Sequence, residues 1–181
     1  CQYVDLVCVA GPDDGGDLID ATSPPLDDAG DSRSAAWGDY DGDGDIDLLV
    51  VGYTGSYSVA RIYRNDDGAL VNIYAQLPGV STGDVAWGDY DNDGDMDLFV
   101  NNFCCENTPS ALYENLGDMQ FTRHDIVDEI YRYSFAISTV WGDLDNDGDL
   151  DAFVVNVNGS HGPAEDRIWL NEGEGTFEQS I

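Results

Sequence analysis

The chain of 181 residues carries 37 Asp plus Glu against six Lys plus Arg, a formal net charge of −31. That balance excludes nucleic acid, whose phosphates need a basic footprint, and argues equally against anionic membrane surfaces. Hydrophobic residues at 42% and aromatics at 11% are enough for a core, which excludes a disordered acidic polymer, and no stretch approaches the roughly 18 consecutive apolar residues of a membrane span.

Residues 1–30 come first. The segment YVDLVCVAGPDDGGDLIDATSPPL resembles the outer hairpin of a repeat unit, with PDDGGDLID standing beside NDDGALVNI further on, so it is read as an amino-terminal half-blade. Cys1 stands without an initiating Met, and removal of a signal peptide and export to the extracellular space or cell surface are expected. Cys1, Cys8, Cys104 and Cys105 allow three pairings, and in an exported protein disulfides are expected. They lack CxxC spacing and neighbouring histidines, which argues against zinc. Adjacent Cys104 and Cys105 would face opposite sides of a strand, so one is expected to reach another chain. A mature amino-terminal cysteine is also a site for lipid, as in bacterial lipoproteins.

Three repeats follow, at 31–77, 78–128 and 129–181. Each contains an apolar approach, an acidic loop and a strand-like run: WGDYDGDGDIDLLV from Trp37, WGDYDNDGDMDLFV from Trp87 and WGDLDNDGDLDAFV from Trp141, spaced 50 and 54 residues apart. A second shared signature comes later in each repeat, as RIYRNDDGAL, ALYENLGDMQF and RIWLNEGEGTF, and predicts two strands joined by a tight turn. Four short antiparallel strands per unit, with no competing helical period, give an all-β fold of about three and a half propeller-type blades. The array is open at both ends and is expected to be completed or continued by neighbouring chains.

The acidic loops place a carboxylate at every second position. They are Asp39, Asp41, Asp43, Asp45 and Asp47; Asp89, Asp91, Asp93, Asp95 and Asp97; and Asp143, Asp145, Asp147, Asp149 and Asp151. Left alone, such charge repels itself. A loop that folds positions 1, 3, 5 and 9 around one centre, with the backbone carbonyl of position 7, makes the oxygen-only shell that Ca2+ prefers. Gly44, Gly94 and Gly148 at position 6 permit the sharp turn. Magnesium suits the pattern less, because it retains waters and demands stricter octahedral geometry. An EF-hand would need Glu at position 12, where Val50, Val100 and Val154 stand. About three structural calcium ions per chain are therefore expected.

The loop GDxDxDGDxDL, followed by [IL][YW]xN and a later glycine, resembles the FG-GAP/VCBS repeat family, related to the propellers of integrin α-chains. Trp-Gly stands here where that family carries its Phe-Gly and Gly-Ala-Pro elements. The resemblance implies a β-propeller architecture and calcium held by the matching aspartates between strands of a blade.

The remaining chemistry is sparse. His124 and His161 have no GxSxG or Cys-His signature to join and are read as surface histidines, so no enzyme is expected. Asn158-Gly159-Ser160 fits the N-glycosylation acceptor pattern. Trp37, Trp87 and Trp141, fixed before each loop, are read as core anchors, whereas Tyr53, Tyr57 and Tyr74 are candidates for an exposed contact surface.

Two functions follow. The first is an extracellular calcium-binding structural protein that assembles head to tail with copies of itself into a fibre or similar polymer. The second is an adhesion or carbohydrate-binding module, a propeller fragment or closed homodimer, that takes a glycan or cell-surface ligand on the variable loops 53–58 and 103–110.

Overall fold

The computed structural model describes residues 8–10, 18–20, 26, 30–80, 83–101, 110–124, 135–157, 165–173 and 176–180. All regular elements among them are strands, and no helix there is long and apolar enough to cross a membrane.

A short antiparallel hairpin, β1 (Cys8–Ala10) with β2 (Leu18–Asp20), lies where the outer hairpin of a half-blade is predicted. Three four-stranded sheets follow, each an antiparallel meander in chain order. Blade 1 holds β3 (Asp31–Gly38), β4 (Asp47–Tyr53), β5 (Ser58–Asp66) and β6 (Ala69–Asn72). Blade 2 holds β7 (Val85–Gly88), β8 (Asp97–Val100), β9 (Ala111–Asn115) and β10 (Phe121–His124). Blade 3 holds β11 (Phe135–Gly142), β12 (Asp151–Val157), β13 (Arg167–Asn171) and β14 (Phe177–Gln179).

The register is the same in all three. Trp37 pairs with Leu48, Trp87 with Leu98 and Trp141 with Ala152, so each acidic loop is the connection between a blade's first two strands. The second strands of blades 1 and 2 are continuous apolar runs because both of their faces are covered. Leu49 and Val51 of β4 face blade 2 in one buried cluster with Leu98, Val100 and Tyr113, while Leu48 and Val50 pack with Tyr63 and Leu26 on the opposite face. A second joint unites Tyr90, Phe99 and Leu112 of blade 2 with Ala152, Val154 and Trp169 of blade 3. Burial on both faces, rather than strand alternation, sets the sequence pattern here.

One side chain ties the three blades together. Asp84, just ahead of β7, accepts hydrogen bonds from Ser34 Oγ of blade 1 at 2.5 Å, and from Ser138 Oγ and the Thr139 N–H of blade 3 at 2.8 and 3.3 Å. Ser34, Asp84 and Ser138 each stand three residues before the tryptophan of their repeat, so equivalent positions converge. Buried Asn101 extends the contact by donating from its Nδ2 to Thr139 Oγ1. Replacing Asp84 by Ala strands two hydroxyls and an amide, and should cost about 2–4 kcal/mol. Urea unfolding of the Asp84→Ala protein tests this, and a loss below about 0.5 kcal/mol would remove Asp84 as a coupling element.

Candidate metal centres

Each acidic loop brings three carboxylates to one point. Ligand oxygens of Asp39, Asp41 and Asp43 lie within 4.8 Å of one another, as do those of Asp89, Asp91 and Asp97, and of Asp143, Asp145 and Asp151. Positions 1 and 3 thus belong to every group. Position 5 completes the first group and position 9 the other two.

The loops fold this way because their own backbone is recruited by the side chains. Asp39 accepts from the N–H groups of Asp43 and Gly44 at 3.1 and 3.0 Å, and Asp89 does the same for Asp93 and Gly94 at 3.1 Å each. In each, a short acidic side chain accepts from backbone N–H groups four and five residues ahead of it and closes the loop on itself, while Asp43 and Asp93 make Asx-type turns with the N–H groups of Asp45 and Asp95. Gly44, Gly94 and Gly148 sit at φ of 97°, 100° and 103°, a left-handed region that side chains with a Cβ avoid.

Position 9 does more than face the loop. Asp47 accepts from the N–H of Tyr40 at 2.9 Å and of Asn65 at 2.8 Å; Asp97 from Tyr90 at 3.1 Å and Asn115 at 2.8 Å; Asp151 from Leu144 at 2.7 Å and Asn171 at 2.9 Å. Each carboxylate therefore clamps the start of the loop to the blade's third strand. All three are buried. Burial pushes the Asp97 carboxyl up to about 7, against the pull of its two N–H donors and with the help of Asp91 and Asp93. Asp47 is raised for the same reasons, while Asp41 and Asp91 are raised by burial and by the charges of Asp43 and Asp93.

Position 7 stands apart and joins none of the three groups. Asp45 accepts from the Asp67 N–H in the neighbouring turn, and Asp149 accepts from Asn92 Nδ2 of the preceding blade's loop at 2.6 Å.

The Asn of the second signature, read from sequence as part of a turn, has a larger part. Asn115 Nδ2 donates to the Met96 carbonyl of its own loop at 3.1 Å and to the Tyr40 carbonyl of blade 1 at 2.8 Å. Asn171 repeats this with Leu150 at 3.4 Å and with Tyr90 of blade 2 at 2.5 Å. Their Oδ1 atoms accept from Gly117 and Gly173, and Asn65 caps Gly68 alike. Recurrence of the Asn in all three copies was the available signal.

Other predicted residues fall as follows. Trp87 stacks on Tyr40 with ring centroids 6.5 Å apart, and Trp141 meets Phe99 edge-on at 5.7 Å, so both anchor a joint. Trp37 does not: it is an exposed residue, and the core-anchor reading fails there. Tyr53, Tyr57 and Tyr74 are exposed. His124 lies on the surface, its Nε2 2.7 Å from Glu114 Oε2. Cys1, Cys104, Cys105, His161 and the triplet 158–160 lie outside the described residues, as do loop residues 103–109, and only the backbone of Cys8 is described.

The donor set fits a hard cation. Each cluster offers oxygen alone, and three mutually close carboxylates lose their repulsion only against positive charge. The family model described as FG-GAP-like repeat matches residues 39–100, which contain the first two acidic loops. The match agrees with the resemblance that the loop motif carries. Comparison with curated proteins gave no match.

Proposed function

We propose that the chain is a calcium-stapled structural module of an extracellular protein, whose blades continue from copy to copy to build a fibre or a similar head-to-tail polymer. The observation that carries it is the recurrence of one carboxylate cluster at one register in every blade. Calcium binding is frequent among FG-GAP-like repeats, and an extracellular setting is typical of them.

Asp39, Asp41 and Asp43 in blade 1, with Asp47 clamping the loop, would hold one ion. Asp89, Asp91 and Asp97 would hold the second, and Asp143, Asp145 and Asp151 the third, with Asp93 and Asp147 at position 5 and the position 7 carbonyls available to complete each shell. The ion supplies charge neutralisation and nothing reactive, so its binding free energy becomes folding free energy. The reading is non-enzymatic.

The loops also touch across a joint, through the Asn92 bond to Asp149, so order in one loop supports the next blade. Electron microscopy of the protein in calcium is expected to reveal filaments with a regular repeat, and prolonged EDTA to shorten or dissolve them. Discrete monomers or small rings in calcium would overturn the polymer.

A second reading, an adhesion or carbohydrate-binding module, is favoured by a groove of about 590 Å³ between blades 1 and 2. Arg61 and Arg123, two of the chain's six basic residues, line it beside Tyr74, Tyr113 and Phe121. Aromatic faces with guanidinium groups suit an acidic sugar. Calorimetric titration with uronic-acid oligosaccharides separates the two: saturable binding lost in Arg123→Ala, by a protein that forms no filaments, would select the binding module.

A further inference from the structure

The acidic loops of blades 1 and 2 are alike in their carboxylates but not in what stands beside them. Position 9 of each loop accepts from the N–H of the second-signature Asn, at 2.8 Å from Asn65 to Asp47 and at 2.8 Å from Asn115 to Asp97. That clamp holds the residue one place earlier on the third strand at the same height in both blades, where it pairs with Val71 or Thr122 of the fourth strand. The residue is Arg64 in blade 1 and Glu114 in blade 2, so one position carries opposite charges.

The charge reaches position 3 of the neighbouring loop. Asp41 and Asp91 are both raised, first by burial and then by Asp43 or Asp93; Arg64 draws Asp41 back down, whereas Glu114 drives Asp91 further up. Arg64 is held in place by a fork on Asp66, with Nε 2.6 Å and Nη2 2.9 Å from the two carboxylate oxygens. Loop 1 therefore faces an ion pair of no net charge. Glu114 Oε2 lies 2.7 Å from Nε2 of His124, and an unprotonated ring leaves the carboxylate its full charge. Loop 2 then has a fourth negative group outside its cluster of Asp89, Asp91 and Asp97.

We infer that Arg64 and Glu114 grade the calcium sites, so that loop 2 binds the ion more tightly than loop 1 and fills first. Resting on the calcium reading above, this gives two residues outside the carboxylate clusters control over the order of loading. A doubly charged ion is drawn by one added carboxylate and repelled by one guanidinium, and at the separation of a neighbouring side chain in partly solvated surroundings each is worth about 3-fold to 10-fold in affinity at low salt. Blade 2 shares a buried cluster with each of the other two blades, so the first ion orders the blade on which both joints depend.

The test is calcium titration of the metal-stripped chain against a chromophoric chelator at about pH 8, where an imidazole is uncharged. The method counts bound ions whether or not the chain polymerises. Glu114→Gln should lower the product of the stepwise binding constants by about 3-fold to 10-fold, and Arg64→Gln should raise it by as much, since it also frees Asp66. A gain of affinity is not what a damaged fold produces. Glu114→Asp and Arg64→Lys should stay within about twofold of wild type, and both shifts should shrink in about 0.5 M salt. The order is read from position 3: Asp91→Asn should abolish a tighter step than Asp41→Asn does, with circular dichroism checking that each retains its β spectrum. Constants unmoved by Glu114→Gln, a weaker product in Arg64→Gln, shifts indifferent to salt, or loss of the tighter step in Asp41→Asn would overturn the grading while leaving the calcium staple standing. A wild-type chain that takes up no calcium would overturn both.

Discussion

Replacing Asp97 by alanine is expected to lower the stability of the calcium-loaded protein by about 3–5 kcal/mol, the largest effect of any single aspartate in the second loop. Two backbone donors, on Tyr90 and Asn115, lose their shared acceptor in a site from which water is excluded. Each buried N–H left unpaired costs about 1–3 kcal/mol, and one carboxylate of the cluster at Asp89 and Asp91 goes with it. Asp97→Asn should fall between, because its amide oxygen can take one N–H while its amino group confronts the other. Asp95→Ala is the matched control. Its side chain belongs to none of the three clusters, and if position 7 serves through its carbonyl the change should stay within about 0.5 kcal/mol. Urea unfolding of the three variants in calcium checks the ranking, and equal losses for Asp95→Ala and Asp97→Ala would refute the division of labour between the two positions.

Chelation is expected to act more strongly still. Three sites, each filled at a hundred times its dissociation constant, contribute about 8 kcal/mol together, or a melting temperature higher by about 15–30 °C. Removing the ion also reverses the pH dependence. In the metal-free chain burial holds the Asp97 carboxyl at about 7, above its ordinary 3.8, and Asp47, Asp41 and Asp91 are raised in the same direction. A folded-state pKa above the unfolded one means that the folded chain binds a proton the unfolded chain releases. The stabilisation is complete below about pH 4 and is lost as pH rises through about 7. In EDTA the melting temperature should therefore be higher at about pH 5 than at about pH 8, whereas in saturating calcium it should be higher at about pH 8, because protons compete with the ion. Melting curves under these four conditions decide it. A metal-free protein whose melting point rises with pH would rule out the clustered carboxylates as the source of instability.

What could be read from the sequence was whatever is local. The acidic loops, the first two strands around each of them and the late hairpin are encoded within stretches of about fifteen residues, by alternation, Gly placement and turn chemistry. The roles that escaped depend on partners far along the chain. Asn115 meets Tyr40 and Asn171 meets Tyr90 across 75 and 81 residues, and Ser34 meets Asp84 across 50. No local pattern specifies such pairs. Trp37 shows the same limit differently: its local sequence matches that of Trp87 and Trp141, yet its burial depends on whether another blade stands before it. Position 9 was legible as a carboxylate but not as a clamp, since its two amide donors lie seven residues behind and 18 to 20 residues ahead.

The bridge at Asp84 gives the array an order. Three repeats built on one plan are in principle interchangeable, and a chain of interchangeable parts can pair wrongly during folding or lose and gain copies without penalty. At the point of convergence, however, the series runs hydroxyl, carboxylate, hydroxyl, from Ser34 through Asp84 to Ser138. Exchanging blade 2 with either neighbour sets two hydroxyls side by side and leaves the carboxylate with one donor; duplicating blade 2 sets two negative charges face to face. A single residue thus acts as an address label, by which otherwise similar modules are told apart.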